Sequence, residues 1–199
     1  MTEAEWLACE DPRPMLAFVH KQMSERKLRL FGLGCCQRIL AQIQDDRSLR
    51  AVKVLERFIE GQATEEELTT AEEEADLAAG EGADFGLWTV AYAASTYVGT
   101  FRQMLFDSEY AEEEKGEADV LRDILGPIRR IAFNATWRTA TVTALAEAIY
   151  DDRAIDRLPI LADALEDAGC TERDILDHCR QPGVHVRGCW VVDLILGKS

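Results

Sequence analysis

Four residues near the end of the chain have side chains that bind soft metal ions: Cys170, Cys179, His185 and Cys189, spaced Cys-x8-Cys-x5-His-x3-Cys. Thiolate sulfur and imidazole nitrogen are the donors zinc prefers, and four of them complete its tetrahedral shell. His178, beside Cys179, can substitute for one of them. The expectation is one structural zinc ion tying short elements together, with packing of the thiols in an apolar core as the alternative, because free cysteine behaves as a small hydrophobe. Two further arrangements use the same stretch. Cys179, His178, His185 and Arg187 form a compact reactive group for an enzyme, and Arg180, His185 and Arg187 form a small anion pocket.

The spacing is similar to that of a Cys-x8-Cys-x5-Cys-x3-His zinc finger with its last two ligands exchanged, but fingers of that class lie in basic, aromatic contexts. This chain is acidic: its formal charge of −15 and pI near 4.6 repel phosphate backbones, so nucleic acid is not expected as a partner. Other catalytic signatures are missing. No glycine-rich phosphate loop, Gly-x-Ser-x-Gly elbow or His-Glu-x-x-His occurs, and there are three histidines in all. Glu65-Glu66-Glu67 and Glu72-Glu73-Glu74 lack the turn glycine of a calcium loop and read as a solvated face. Cys35 and Cys36 are neighbours on one helix, so they point about 100° apart and do not chelate together. His20 reads as a polar residue at a helix edge.

The elements that must position these residues are helices. Thr2 with Glu5, Thr64 with Glu67 and Thr171 with Asp174 each have capping-box spacing, and Asp11-Pro12 opens a further helix with proline where no amide is needed. Leu28, Phe31, Cys35, Ile39 and Ile43 recur at helical spacing between Ser24 and Gln44, as do Val52, Leu55 and Ile59 before the stop at Gly61. Helices are expected over Thr64 to Ala79, Phe85 to Leu105 and Ala118 to Leu125, the last ended by Gly126-Pro127. Three more follow over Thr141 to Tyr150, Leu158 to Ala168 and Thr171 to Arg180. The tail from Val186 to Leu196 puts Trp190, Val191, Leu194 and Ile195 on one face, with a strand as the minority reading because Val191 and Val192 favour sheet.

The fold expectation is therefore all-α: a single-domain array or bundle of about eight to ten short-to-medium helices over 1–199, with 60–117 the acidic and apolar middle. The uncharged run Phe85 to Phe101 is broken by Thr89, Ser95, Thr96 and Thr100 and falls short of the roughly 20 apolar residues of a membrane span, so a buried core helix is expected there. The amino terminus has no basic start and apolar run, which points to a cytoplasmic protein without a membrane partner.

Charge is uneven. Arg26, Arg29, Arg38, Arg47, Arg50 and Arg57 crowd the first third, whereas Glu60 to Asp84 holds acids and no Lys or Arg, and the two regions are expected to face each other. A non-catalytic interaction or structural module is the leading expectation, using an acidic helical surface on a basic protein partner. The alternatives are a zinc-stabilised binding domain and an inhibitor or immunity-like protein that mimics nucleic acid toward a basic target.

Both ends of the chain also carry a family likeness. MTEAEWLACEDPRPML, RKLRLFGLGCCQRI and LPILADALEDAGCTERDILDHCRQPGVHVRGCWVVDLILGKS resemble an uncharacterised family abundant in planctomycete bacteria. The resemblance implies no reaction, cofactor or catalytic residue. The middle, Glu60 to Glu117, departs from the tryptophan- and alanine-rich runs of that family.

Overall fold

Orphan amides at helix starts find side-chain partners along much of the chain, and the result is an all-α protein. The computed structural model describes residues 1–19, 23–81 and 114–198. Among them are ten α-helices: α1 (Glu3–Ala8), α2 (Pro12–Val19), α3 (Glu25–Ile39), α4 (Asp46–Ile59), α5 (Glu65–Glu81), α6 (Glu114–Leu125), α7 (Ala140–Asp152), α8 (Leu158–Asp167), α9 (Arg173–Arg180) and α10 (Trp190–Leu196). No strand occurs among the described residues, and the tail is helical. No helix among them is long and apolar enough to cross a membrane. The helix expected over Phe85 to Leu105 and the edge histidine His20 lie outside the described residues.

Two of the three expected capping boxes form. Thr2 accepts the Glu5 amide while Glu5 accepts that of Thr2, and Thr64 and Glu67 repeat the exchange. The third does not: α9 starts at Arg173 after Glu172 without a side-chain cap, and the Asp174 carboxylate is engaged by Arg129.

The chain divides into two compact units, Met1–Phe18 with Glu114–Ser199, and Val19–Glu113. In the second, α4 and α5 pair side by side. Arg47 bonds Glu81, Arg50 bonds Glu74 and Arg57 bonds Glu67, so the basic and acidic stretches face each other as their composition implied. These pairs are exposed and screened, so they align the helices more than they stabilise them.

In the first unit, Val142 and Ile149 of α7, Leu161 and Leu165 of α8, Ile175 of α9 and Val191 and Ile195 of α10 share one buried core. Each such side chain contributes about 1.5–3 kcal/mol on leaving water. Trp6 of α1 is fully buried, and its indole Nε1–H donates to the Gly126 carbonyl at 3.1 Å. Gly126 ends α6 with φ +71°, and a Cβ there would lie 2.7 Å from the Trp190 ring. Only glycine fits this position without displacing the indole.

Candidate metal centre

Asp123 stands in the last turn of α6, with only 2% of its surface exposed, on the same helix face as buried Val120 and Ile124. A carboxylate so placed must be compensated. One oxygen, Oδ2, accepts the backbone N–H of Val186 at 2.8 Å. The other, Oδ1, lies 2.7 Å from His185 Nδ1 and 3.2 Å from His178 Nε2. His178 Nε2 also lies 3.1 Å from the Cys189 sulfur.

Three parts of the first unit bring these groups together. α6 supplies Asp123 and α9 supplies buried His178. After α9 the chain bends at Gln181 and Gly183, and Gly188, at φ +90°, lets the Cys189 amide reach the Val186 carbonyl at 3.1 Å. That loop delivers His185, and Cys189 follows it immediately before α10. The two imidazoles meet edge to face at 4.9 Å between centroids, and the His178 ring leans on Trp190 at 5.2 Å. One ligand atom from each of Asp123, His178, His185 and Cys189 lies within 4.8 Å of the other three.

Burial pushes the Asp123 carboxyl up, but hydrogen bonds and charge from His178 and His185 outweigh it and hold the group below its ordinary range. Burial pulls His185 down, and its hydrogen bond to Asp123 more than restores it, so the net shift is upward. The Cys189 thiol is raised far above its usual range, first by burial and then by the Asp123 charge. Without an added cation the sulfur is therefore a neutral thiol and a poor nucleophile. A Cys–His relay in the manner of a thiol hydrolase gains nothing from this setting, since Cys189 is only 2% exposed.

A divalent cation reverses the balance, because it favours the thiolate and the carboxylate together. Zinc bonds of about 2.0–2.3 Å imply neighbouring donors about 3.3–3.7 Å apart in a tetrahedron. The observed separations of 2.7, 3.1 and 3.2 Å fall slightly inside that spacing. The other pairs lie within 4.8 Å, so to admit the ion the close contacts must open by roughly half an ångström. The outer contacts suit the same role. Val186 N–H fixes the carboxylate plane, and the Gln181 carbonyl lies 3.4 Å from His185 Nε2, where it can accept that nitrogen's N–H while a cation takes Nδ1. Gln181 Nε2 sits 3.4 Å from His178 Nδ1, and a half-turn of that amide offers its oxygen to an Nδ1–H.

Of the residues singled out by spacing, His185 and Cys189 join the cluster, as does His178. Cys170 and Cys179 instead pack within the apolar core, where burial raises both thiols, that of Cys179 to about 12. Arg187 donates to the Tyr150 carbonyl and stacks over its ring, while Arg180 is held by Asp163 and Glu166, so the anion pocket does not form. Asp123 was missed. The available signal was a carboxylate on the buried stripe of an amphipathic helix. Beside the cluster lies a cleft of about 520 Å³, walled by Trp6, Arg122, Asp123, His178, Gln181 and Trp190.

The fold and the cluster define a helical protein with a candidate metal centre. The chain matches no family model, no curated protein and no solved structure.

Proposed function

We propose that this protein is a non-catalytic helical module whose first unit is held together by one zinc ion at Asp123, His178, His185 and Cys189. The observation that carries this reading is the convergence of two imidazoles, a thiol and a carboxylate, from α6, α9 and the segment leading into α10, on one buried point. Nitrogen, sulfur and oxygen donors in this mixture suit zinc better than magnesium or calcium, which take oxygen alone. Four protein donors fill a tetrahedron and leave no open position, the pattern of structural rather than catalytic zinc. The likeness of the chain ends to a planctomycete family brings no activity with it, so the reading rests on this geometry.

Elemental analysis of the full chain, purified without chelator and dialysed against metal-free buffer, tests it. About one equivalent of zinc is expected, falling below about a tenth in the Asp123→Asn/Cys189→Ala double variant. Less than about a tenth of an equivalent in the native chain after zinc incubation would leave the cluster a hydrogen-bonded Asp–His pair.

A second reading, contact with a basic protein partner, is favoured by the outer face of α5. Glu65, Glu66, Glu73 and Asp76 are exposed there beside the carboxylates that α4 engages. Such a contact weakens as salt screens it, so binding of a polylysine peptide that persists unchanged at 0.5 M salt would count against it.

A further inference from the structure

We propose that the metal centre is also a clasp, whose occupancy decides whether the amino-terminal helix α1 stays docked; this rests on the zinc reading above. The residues that hold α1 start beside Asp123 on α6 and continue past the end of that helix. Arg122 donates to the carbonyls of Trp6 at 3.1 Å and of Cys9 at 2.7 Å, and so caps the carboxyl end of that short helix. Its other guanidinium nitrogen is fixed by Asp119 at 2.7 Å. Gly126 accepts the Trp6 indole, and three residues on, the Arg129 amide donates to the Glu3 carboxylate at 3.1 Å. Every long-range hydrogen bond described for α1 thus ends on residues 122–129, the stretch that starts beside Asp123.

A six-residue helix does not persist unaided in water. Its order is borrowed from α6 and the turn that follows.

Two mechanical routes join the metal ligands to that stretch. Asp123 and Arg122 are consecutive residues of α6, so a shift of the helix end that carries the carboxylate also shifts the backbone from which the Arg122 side chain reaches α1. Cys189 immediately precedes Trp190, whose ring lies flat against Gly126 with no room for a methyl group, and Gly126 holds Trp6. A packed contact of this kind switches between arrangements rather than deforming smoothly. Removing the cation leaves Asp123 to the Val186 N–H and the two imidazoles at 2.7–3.2 Å, closer than the donor spacing around zinc, and that re-spacing of roughly half an ångström moves the α6 end and the loop carrying His185. α1 then loses its cap and its indole acceptor together. Glu3, Trp6 and Leu7 form one wall of the cleft whose other wall includes Asp177 and His178, so undocking also opens that cleft.

Hydrogen–deuterium exchange of the full chain, with one equivalent of zinc and after chelation, reads the clasp directly. Amides of α1 are expected to exchange at least about tenfold faster after chelation, while those of α7 keep their protection. Coupling is reciprocal, so Arg122→Met, which loosens α1, should weaken zinc binding by a similar factor and make α1 exchange insensitive to zinc. Trp6→Phe, which deletes the indole donor together with part of the buried ring, gives the same pattern more mildly should the arginine variant fold poorly. Zinc that binds and leaves one-to-one without changing α1 exchange would overturn the clasp and leave the metal site standing. Equal loss of protection in α1 and α7 would also overturn it, since the ion would then hold the whole unit. Absence of zinc binding would remove both proposals.

Discussion

Asp123 is the residue on which the centre turns, and its substitution separates charge from shape. Asp123→Asn keeps the size and one acceptor but removes the anion that the two imidazoles face. Zinc affinity is expected to fall by about ten- to a hundredfold or more, measured by competition with a chromogenic chelator. An unchanged affinity would place the ion elsewhere. Gly126→Ala tests the neighbouring contact without touching a ligand. The added methyl meets the Trp190 ring at 2.7 Å and the backbone is left-handed, so strain and overpacking should together cost about 2–4 kcal/mol, seen as a lower urea midpoint. At this scale the sequence was half legible. His178, His185 and Cys189 were visible because soft-ligand residues near one another are rare, whereas Cys170 and Cys179 shared that chemistry without sharing the site. Spacing along the chain says nothing of direction: Cys179 adjoins His178 on α9, where successive side chains diverge, and it lies in the core. Asp123 belongs to a distant helix, and no local pattern joins it to the others.

At the scale of elements, caps and stop signals read true where the capping residue has no better partner. Thr139 accepts the Val142 amide and starts α7, and Thr139→Ala should lower stability by about 1 kcal/mol in equilibrium denaturation. Thr171 and Asp174 had equally good spacing, but Arg129 reaches Asp174 through tertiary structure and local logic loses. The turn glycines Gly61, Gly126, Gly169 and Gly197 all follow helix ends in the left-handed conformation, as their positions implied. The amino end of α4 adds a pH prediction. Arg47 bonds the capping Asp45 and, against the opposing effect of burial, holds its carboxyl at about 2, below the ordinary 3.8. A group depressed in the folded state stabilises it above the unfolded value and loses that contribution as pH falls through the folded one. The α4 cap should therefore persist at pH 5 and weaken between about pH 4 and 2, with Asp45 titrating near 2 by carbon NMR. Titration near 4 would show that Arg47 does not engage it.

Whole-molecule behaviour follows from where charge is used rather than how much there is. The formal charge of −15 opposes a polyanion at long range, and the basic first third is the part of the chain able to defeat that repulsion. In the folded second unit four of its arginines are already engaged. Arg47 is shared by Asp45 and Glu81, Arg50 is taken by Glu74, Arg57 by Glu67, and Arg29 is buried against Glu25 and the face of Phe58. A phosphate approaching α4 must displace a carboxylate at each arginine, so little counterion release is left to drive association. Affinity for a 20-base-pair duplex at 0.15 M salt is accordingly expected to be weaker than about 100 μM by fluorescence anisotropy. Glu67→Gln/Glu74→Gln/Glu81→Gln should raise it measurably, because it releases Arg50 and Arg57 from their carboxylates, leaves Arg47 with Asp45 alone and removes three negative charges. Micromolar binding by the native chain, with a steep fall as salt rises, would mean that the α4–α5 ion pairs open in the presence of phosphate and that the acidic helix guards a nucleic-acid surface.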